Sequence, residues 1–245
     1  MANSRKNGRL PKFGRVMVVM AHPDDPDFGA GGSVARFAGS GAQVTYVIIT
    51  DGRQGGEDPK QKDSELIAIR KKEQRAAARV LGVKNVEFLG YKDGHLAPDL
   101  KVRRDIVKMI RKHKPDLVIT QTPGRVLDAP IGGSHPDHLA AGEATMAAVY
   151  PDSRNPRAFR SLLKEGLKPH EVKEVWIPFW TLGDYFVDIT STLDKKIEAL
   201  RKHKSQPPMR SDRNGRFEEF MRKRHRQIGK RAGYRYAEAF KRITV

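Results

Sequence analysis

The chain has no cysteine among its 245 residues, which excludes disulfides and thiolate-bound metal. No apolar run approaches the ~18 residues that a membrane-spanning helix needs. The opening residues, Met-Ala-Asn-Ser-Arg-Lys-Asn-Gly-Arg, lack the apolar stretch of a signal peptide, so a cytoplasmic protein with no membrane association is expected. Gly29, Gly31 and Gly32 cluster, but not as G-x-G-x-x-G, which argues against a dinucleotide site. Those glycines are expected to let a helix start pack close to the preceding loop. Acidic residues are outnumbered 47 to 29 by basic ones, giving a net charge of +18 that is unevenly spread. Residues 195–245 carry 17 Lys/Arg against 5 Asp/Glu, a net of +12, which leaves +6 for the rest. A basic surface of this kind can bind nucleic acid or an anionic substrate. Solvated helix faces are the plainer explanation, because Phe217, Phe220, Tyr234, Tyr236 and Phe240 are spaced for packing rather than for stacking on bases.

What is present is a strong alternation of strand-like and helix-like segments, the signature of βαβ units in an α/β fold. Val16–Met20 is a continuous apolar run, as expected of a strand covered on both faces. A loop over 21–32 and a short helix through Val34 and Phe37 follow, then a strand over 44–50. The pattern predicts helices over 64–81 and 100–113, the second with Val102, Ile106, Val107 and Ile110 as its apolar stripe. Further strands are predicted over 86–89, 117–120, 172–179 and 185–189, an Ala-rich helix over 138–150, and two or more basic helices at the C-terminal end. The long connections 51–63 and 121–134 leave the C-terminal ends of predicted strands, where open α/β sheets bind ligands.

Two short clusters carry the chemistry. Ala21-His22-Pro23-Asp24-Asp25 leaves the first strand, and Ser134-His135-Pro136-Asp137-His138 follows the loop after the fourth. Together they offer imidazole nitrogens and a carboxylate for a metal, with a carboxylate and an imidazole to spare for handling protons. A loop stiffened by Pro23 and Pro26 can aim His22 and Asp25 at one point while Asp24 points elsewhere. His135 and His138, three apart, share a face if a helix starts there. Ser134 and Asp137 alone would be a helix-capping pattern. The set His22-x-Asp24 with His138 also matches the facial triad of non-haem iron oxygenases, a second choice because that triad usually sits on an all-β scaffold. His95, His113, His170, His203 and His225 read as surface or packing residues.

At these residues the chain resembles the LmbE-like/PIG-L family of metal-dependent N-acetylglucosaminyl deacetylases. The family's A-H-P-D-D-x-E and H-P-D-H motifs read here as residues 21–27 and 135–138. The likeness extends through Gly31-Gly32, Thr50-Asp51-Gly52, Arg70–Glu73 and His203–Gln206, covering about residues 14–206. Asp27 stands where the family usually has glutamate. The resemblance implies a Rossmann-like, mostly parallel sheet flanked by helices in three layers. It also implies Zn2+, or another divalent metal such as Fe2+ or Co2+, and hydrolysis of the acetamide of an N-acetylglucosamine-type amino-sugar conjugate. By position it makes His22, Asp25 and His138 metal ligands and Asp24 the general base. It makes His135 the oxyanion stabiliser, oriented by Asp137, which would favour its imidazolium. Arg70 would contact substrate and His203 would lie near it. The expected organisation is an N-terminal tail over 1–13, one domain over 14–206, and a basic helical extension over 207–245 packed on it. A small-molecule amino sugar is the expected partner and a homo-oligomer is possible. A nucleic-acid-binding protein using the C-terminal region is the alternative of a different class, which would show steep salt dependence.

Overall fold

The apolar run after Arg15 forms the middle of the sheet, where a strand with no polar face must be. In the computed structural model, which describes residues 10–127, 131–207 and 215–245, β1 (Arg15–Met20) lies between β2 (Gln43–Thr50) and β4 (Leu117–Thr120), parallel to both. β3 (Asn85–Tyr91) extends the sheet beside β2, and β5 (Glu174–Pro178) beside β4, again parallel. The antiparallel β6 (Tyr185–Asp188) and β7 (Ala237–Thr244) complete seven strands in the order β3-β2-β1-β4-β5-β7-β6. Strand order reverses between β1 and β4, which marks the crevice where doubly wound sheets bind ligands.

Both faces are covered, giving the three layers. Val16, Val18 and Met20 of β1 pack with Val34 and Phe37 of α1 (Asp25–Gly39), Ala77 and Ala78 of α2 (Asp63–Val80), and Leu193 and Ile197 of α6 (Leu193–Leu200). The intervening Met17 and Val19 face Ile106 and Val107 of α3 (Leu100–His113) and Ala141 and Ala144 of α4 (Pro136–Ala147). This period of two is what a covered strand dictates. α3 falls where the stripe predicted it, because its ends are chemically marked. The Asp99 carboxylate accepts the Val102 N–H, and Lys114 turns left-handed at the far end. A short α5 (Arg160–Lys164) and a basic α7 (Arg216–Ala232) complete the described helices.

Four expectations need correction. The C-terminal region is not an appended helical extension: after α7 the chain returns as β7 between β5 and β6. Ala237-Glu238-Ala239 favours helix by local propensity, but the open edges on both sides of the gap decide. The segment 21–32 is not a loop, since α1 starts at Asp25; Pro26 sits in its first turn, where a missing N–H costs nothing. Gly29, Gly31 and Gly32 do not serve the preceding loop. A Cβ on Gly32 would come within 2.8 Å of Ile189, one on Gly31 within 3.2 Å of Lys196, and one on Gly29 within 3.3 Å of Pro178, so they seat α1 against β5, α6 and the β6 exit. The Ala-rich helix spans 136–147 rather than 138–150, and a separate turn with Pro151 follows.

Candidate metal and catalytic centre

Both clusters reach the crevice because the exits of β1 and β4 are neighbours. β1 delivers His22 and runs directly into α1, which places Asp25 in its first turn. α4 lies against the exit of β4 so closely that a Cβ on Gly142 would sit 2.5 Å from the Gln121 carbonyl oxygen. That approach, allowed only by glycine, brings the first turn of α4 with His138 over the first turn of α1. The cap of α4 is not Ser134. It is His135, whose Nδ1 accepts the Asp137 N–H at 3.2 Å.

Three donors converge. His22 Nδ1 lies 3.2 Å from His138 Nε2 and 3.2 Å from Asp25 Oδ2, and His138 Nε2 lies 3.3 Å from Asp25 Oδ1. A tetrahedral ion with bonds of ~2.0–2.1 Å separates its ligands by about 3.3–3.4 Å, and all three separations are close to that, Asp25 meeting each imidazole through a different carboxylate oxygen. The His135 ring lies 4.9 Å from the His22 ring and 5.2 Å from the His138 ring, and ligand atoms of all three lie within 4.8 Å. Asp25 is further fixed by the His22 backbone N–H at 2.8 Å and by the Gln121 amide at 2.9 Å. The other nitrogen of His22 meets Asp93 at 3.0 Å and Asp137 at 3.3 Å. A ring nitrogen facing the centre while its opposite N–H meets carboxylates is the usual setting of a metal-bound imidazole.

The charges agree. Burial pulls the His22 pKa down, yet Asp137, Asp25 and Asp93 together push it up to about 12. His138 is also raised, against burial, by Asp25. Asp25 is held well below the usual carboxylate range: burial would raise it, and His138 and His22 more than reverse that. A pocket that binds protons this tightly is built for positive charge, and a divalent cation supplies at one point the charge of two imidazoliums.

Asp24 is treated differently. Its backbone is left-handed, with φ 87°, an uncommon state for a residue other than glycine. Its carboxylate turns from the triangle to Arg70 Nη2 at 3.2 Å. The His22-x-Asp24 pairing of the oxygenase alternative is therefore not formed; the carboxylate beside both imidazoles is that of Asp25. Burial pushes the Asp24 pKa up, Arg70 partly opposes it, and the result is about 6.

The structure relocates several expected contacts. The Asp137 carboxylate accepts from Gly94 N at 2.7 Å, Leu96 N at 3.2 Å and His22, so it does not orient His135. Burial and the neighbouring His22 and His138 lower the His135 pKa, which favours the neutral ring over the expected imidazolium, and an acceptor Nδ1 places the neutral ring's proton on Nε2. Arg70 is only 3% exposed, and its guanidinium is engaged by the Pro23 and Gly52 carbonyls and by Asp24. It braces the site from behind, turned away from solvent. His203 is fully buried and pairs with Asp27 at 2.8 Å. Asp93, Gln121 and Gln74 went unnoticed in the sequence. Asp93 and Gln121 each follow the C-terminal end of a strand, a position that could have flagged them. Gln74 lies mid-helix with nothing to distinguish it.

Fold and site together define a doubly wound α/β protein with a metal-competent His/Asp centre at the reversal of its strand order. Residues 17–149 match the family described as PIG-L, GlcNAc-PI de-N-acetylase, and the chain belongs to that family. It is 35% identical over 227 residues to the diacetylchitobiose deacetylase of Thermococcus kodakarensis, covering 93% of this chain and 82% of that one. It is 31% identical to a probable N-acetyl-alpha-D-glucosaminyl L-malate deacetylase 2 of Bacillus anthracis, over 78% of this chain and 80% of the relative. Among solved structures, the N,N'-diacetylchitobiose deacetylase from Pyrococcus horikoshii superposes with a TM-score of 0.86 at 34% identity, covering 95% of this chain and 85% of the other. No described helix is long and apolar enough to cross a membrane.

Proposed function

We propose that the protein is a metal-dependent N-deacetylase acting on an N-acetylglucosamine-type amino sugar. The carrying observation is the mutual approach of the His22, Asp25 and His138 side chains at 3.2–3.3 Å, Asp25 turning one oxygen to each imidazole, beside an Asp24 carboxylate that does not join them. His22 Nδ1, His138 Nε2 and Asp25 would hold zinc as first choice, and iron or cobalt would suit the same donors. Bound there, the ion supplies Lewis acidity and lowers the pKa of water to about 7.

The chain's own residues do the rest. Asp24, with its pKa pushed up to about 6, is ionised at neutral pH yet basic enough to take a proton from the attacking water. His135 offers its Nε2–H to the amide oxygen as negative charge develops, a contribution typically of about 3 kcal/mol. The proton that Asp24 has accepted returns to the departing amine, so the site ends as it began. The relatives named for diacetylchitobiose and for a glucosaminyl malate share a 2-acetamido sugar, which supports that unit as the substrate.

The test is metal analysis of the purified protein coupled to free-amine detection with N-acetylglucosamine and N,N'-diacetylchitobiose. Asp24→Asn should keep its metal and lose about 100-fold or more in kcat, the usual contribution of a general base. Metal-loaded protein that releases no amine from either sugar would refute the activity. Loss of metal from Asp24→Asn would refute the division of roles.

A further inference from the structure

Asp24 holds a backbone conformation that its residue type disfavours, and the structure shows what keeps it there. The peptide group joining Pro23 to Asp24 has both of its polar atoms held by α2. Its carbonyl oxygen accepts from Arg70 Nη2 at 2.7 Å, and its N–H donates to Gln74 Oε1 at 2.6 Å. Residues 70 and 74 are one helical turn apart, so a single face of α2 grips both edges of this peptide plane. The Gln74 amide cannot turn over, because its NH2 donates to Asp27 Oδ2 at 2.9 Å. Asp27 is locked in turn by Tyr46 Oη at 3.1 Å and by His203 Nε2 at 2.8 Å. Gln74, Asp27 and His203 are all completely buried.

We propose that Gln74 is a positioning residue for the reaction. With Arg70 it clamps the Pro23–Asp24 peptide plane and so keeps the Asp24 carboxylate out of the metal triangle and free to carry a proton. Asp27 and His203, which do not reach the centre, act through it by fixing which end of the Gln74 amide faces residue 24. Without the clamp residue 24 is free to relax toward an ordinary φ, which redirects its carboxylate. The inference rests on Asp24 acting as the base, and its test separates the two ideas.

Gln74→Met keeps the bulk and removes both hydrogen bonds. On N,N'-diacetylchitobiose it should lower kcat by about 10- to 100-fold, the range set by an ångström-scale misplacement. KM should stay within about twofold and metal content should not change, the pattern of an interaction lost only in the transition state. Gln74→Glu, whose protonated carboxyl can still donate to Asp27 and accept from residue 24, should recover part of the loss, and it serves if the Met variant does not fold. In an Asp24→Asn background, Gln74→Met should cost nothing further. A crystal structure of Gln74→Met should show residue 24 out of its left-handed conformation. Unchanged kcat, a rise in KM alone, or an unmoved residue 24 would overturn the clamp. Full turnover by Asp24→Asn would instead overturn the base assignment and leave the structural readout standing.

Discussion

Metal uptake should expel protons, with a pH slope that the site's geometry sets. In the metal-free protein His22 is an imidazolium: burial opposes the charge, but Asp137, Asp25 and Asp93 push its pKa up to about 12. Its Nε2–H points at Asp93 and Asp137, while Nδ1 faces Asp25 and His138. An ion held by Nδ1 must displace the proton there and leave the one on Nε2. At least one proton is therefore released per ion, and His138, also raised, adds to this wherever it is charged. For one proton the apparent affinity climbs tenfold per pH unit, about 100-fold from about pH 6 to about pH 8, or about 2.7 kcal/mol. The stability of the metal-free fold runs the other way. A raised histidine pKa contributes fully below its unfolded value near 6.5 and is lost progressively as pH climbs toward about 12. The melting gap between loaded and metal-free protein should thus widen over the same interval. Calorimetric titration of metal-free protein with zinc chloride, in buffers of different ionisation enthalpy, counts the protons directly. An affinity independent of pH, with no proton release, would refute the placement of the ion on His22 Nδ1.

Two further outcomes are expected. Arg70→Ala should lower kcat with little change in KM, because its guanidinium holds the Pro23 carbonyl and Asp24 rather than substrate; steady-state kinetics showing only a raised KM would restore a binding role. Lys196→Met should cost about 3 kcal/mol in urea unfolding, the low end for breaking a buried ion pair, since Glu238 keeps Gly32 N, Ser33 N and Ser33 Oγ as donors. Adding Glu238→Gln should recover part of that, and a single-variant loss under about 1 kcal/mol would show that those backbone donors already suffice.

The first half of the chain was legible because its signals are local. β1 is apolar after Arg15 and α3 has a stripe and two marked ends, so their limits could be set within a residue or so. The two histidine clusters were legible as donors for one centre, and it was the family resemblance that singled out His22, Asp25 and His138, which the fold brings within 3.2–3.3 Å of one another. Harder to see were features decided by distant neighbours. β7 is a strand only because β5 and β6 flank it. Arg70 looked available for a ligand, and nothing near it in sequence says that the Pro23 and Gly52 carbonyls are waiting. Asp137 lies two residues from His135, and that proximity hid its contact with His22, 115 positions away.

The insertion of β7 governs how the molecule can be assembled. Residues 237–244 are synthesised after every other described strand, yet they pair on both sides, and among the described residues β6 pairs only with β7. Until they emerge from the ribosome, β5 presents a bare hydrogen-bonding edge and β6 has nowhere to dock. Glu238, carried on the same strand, must then travel inward to meet the Gly32 and Ser33 amides more than 200 residues upstream. The nascent chain thus keeps an adhesive margin exposed while the segment between β5 and β7 is made, a period in which a chaperone has something to hold.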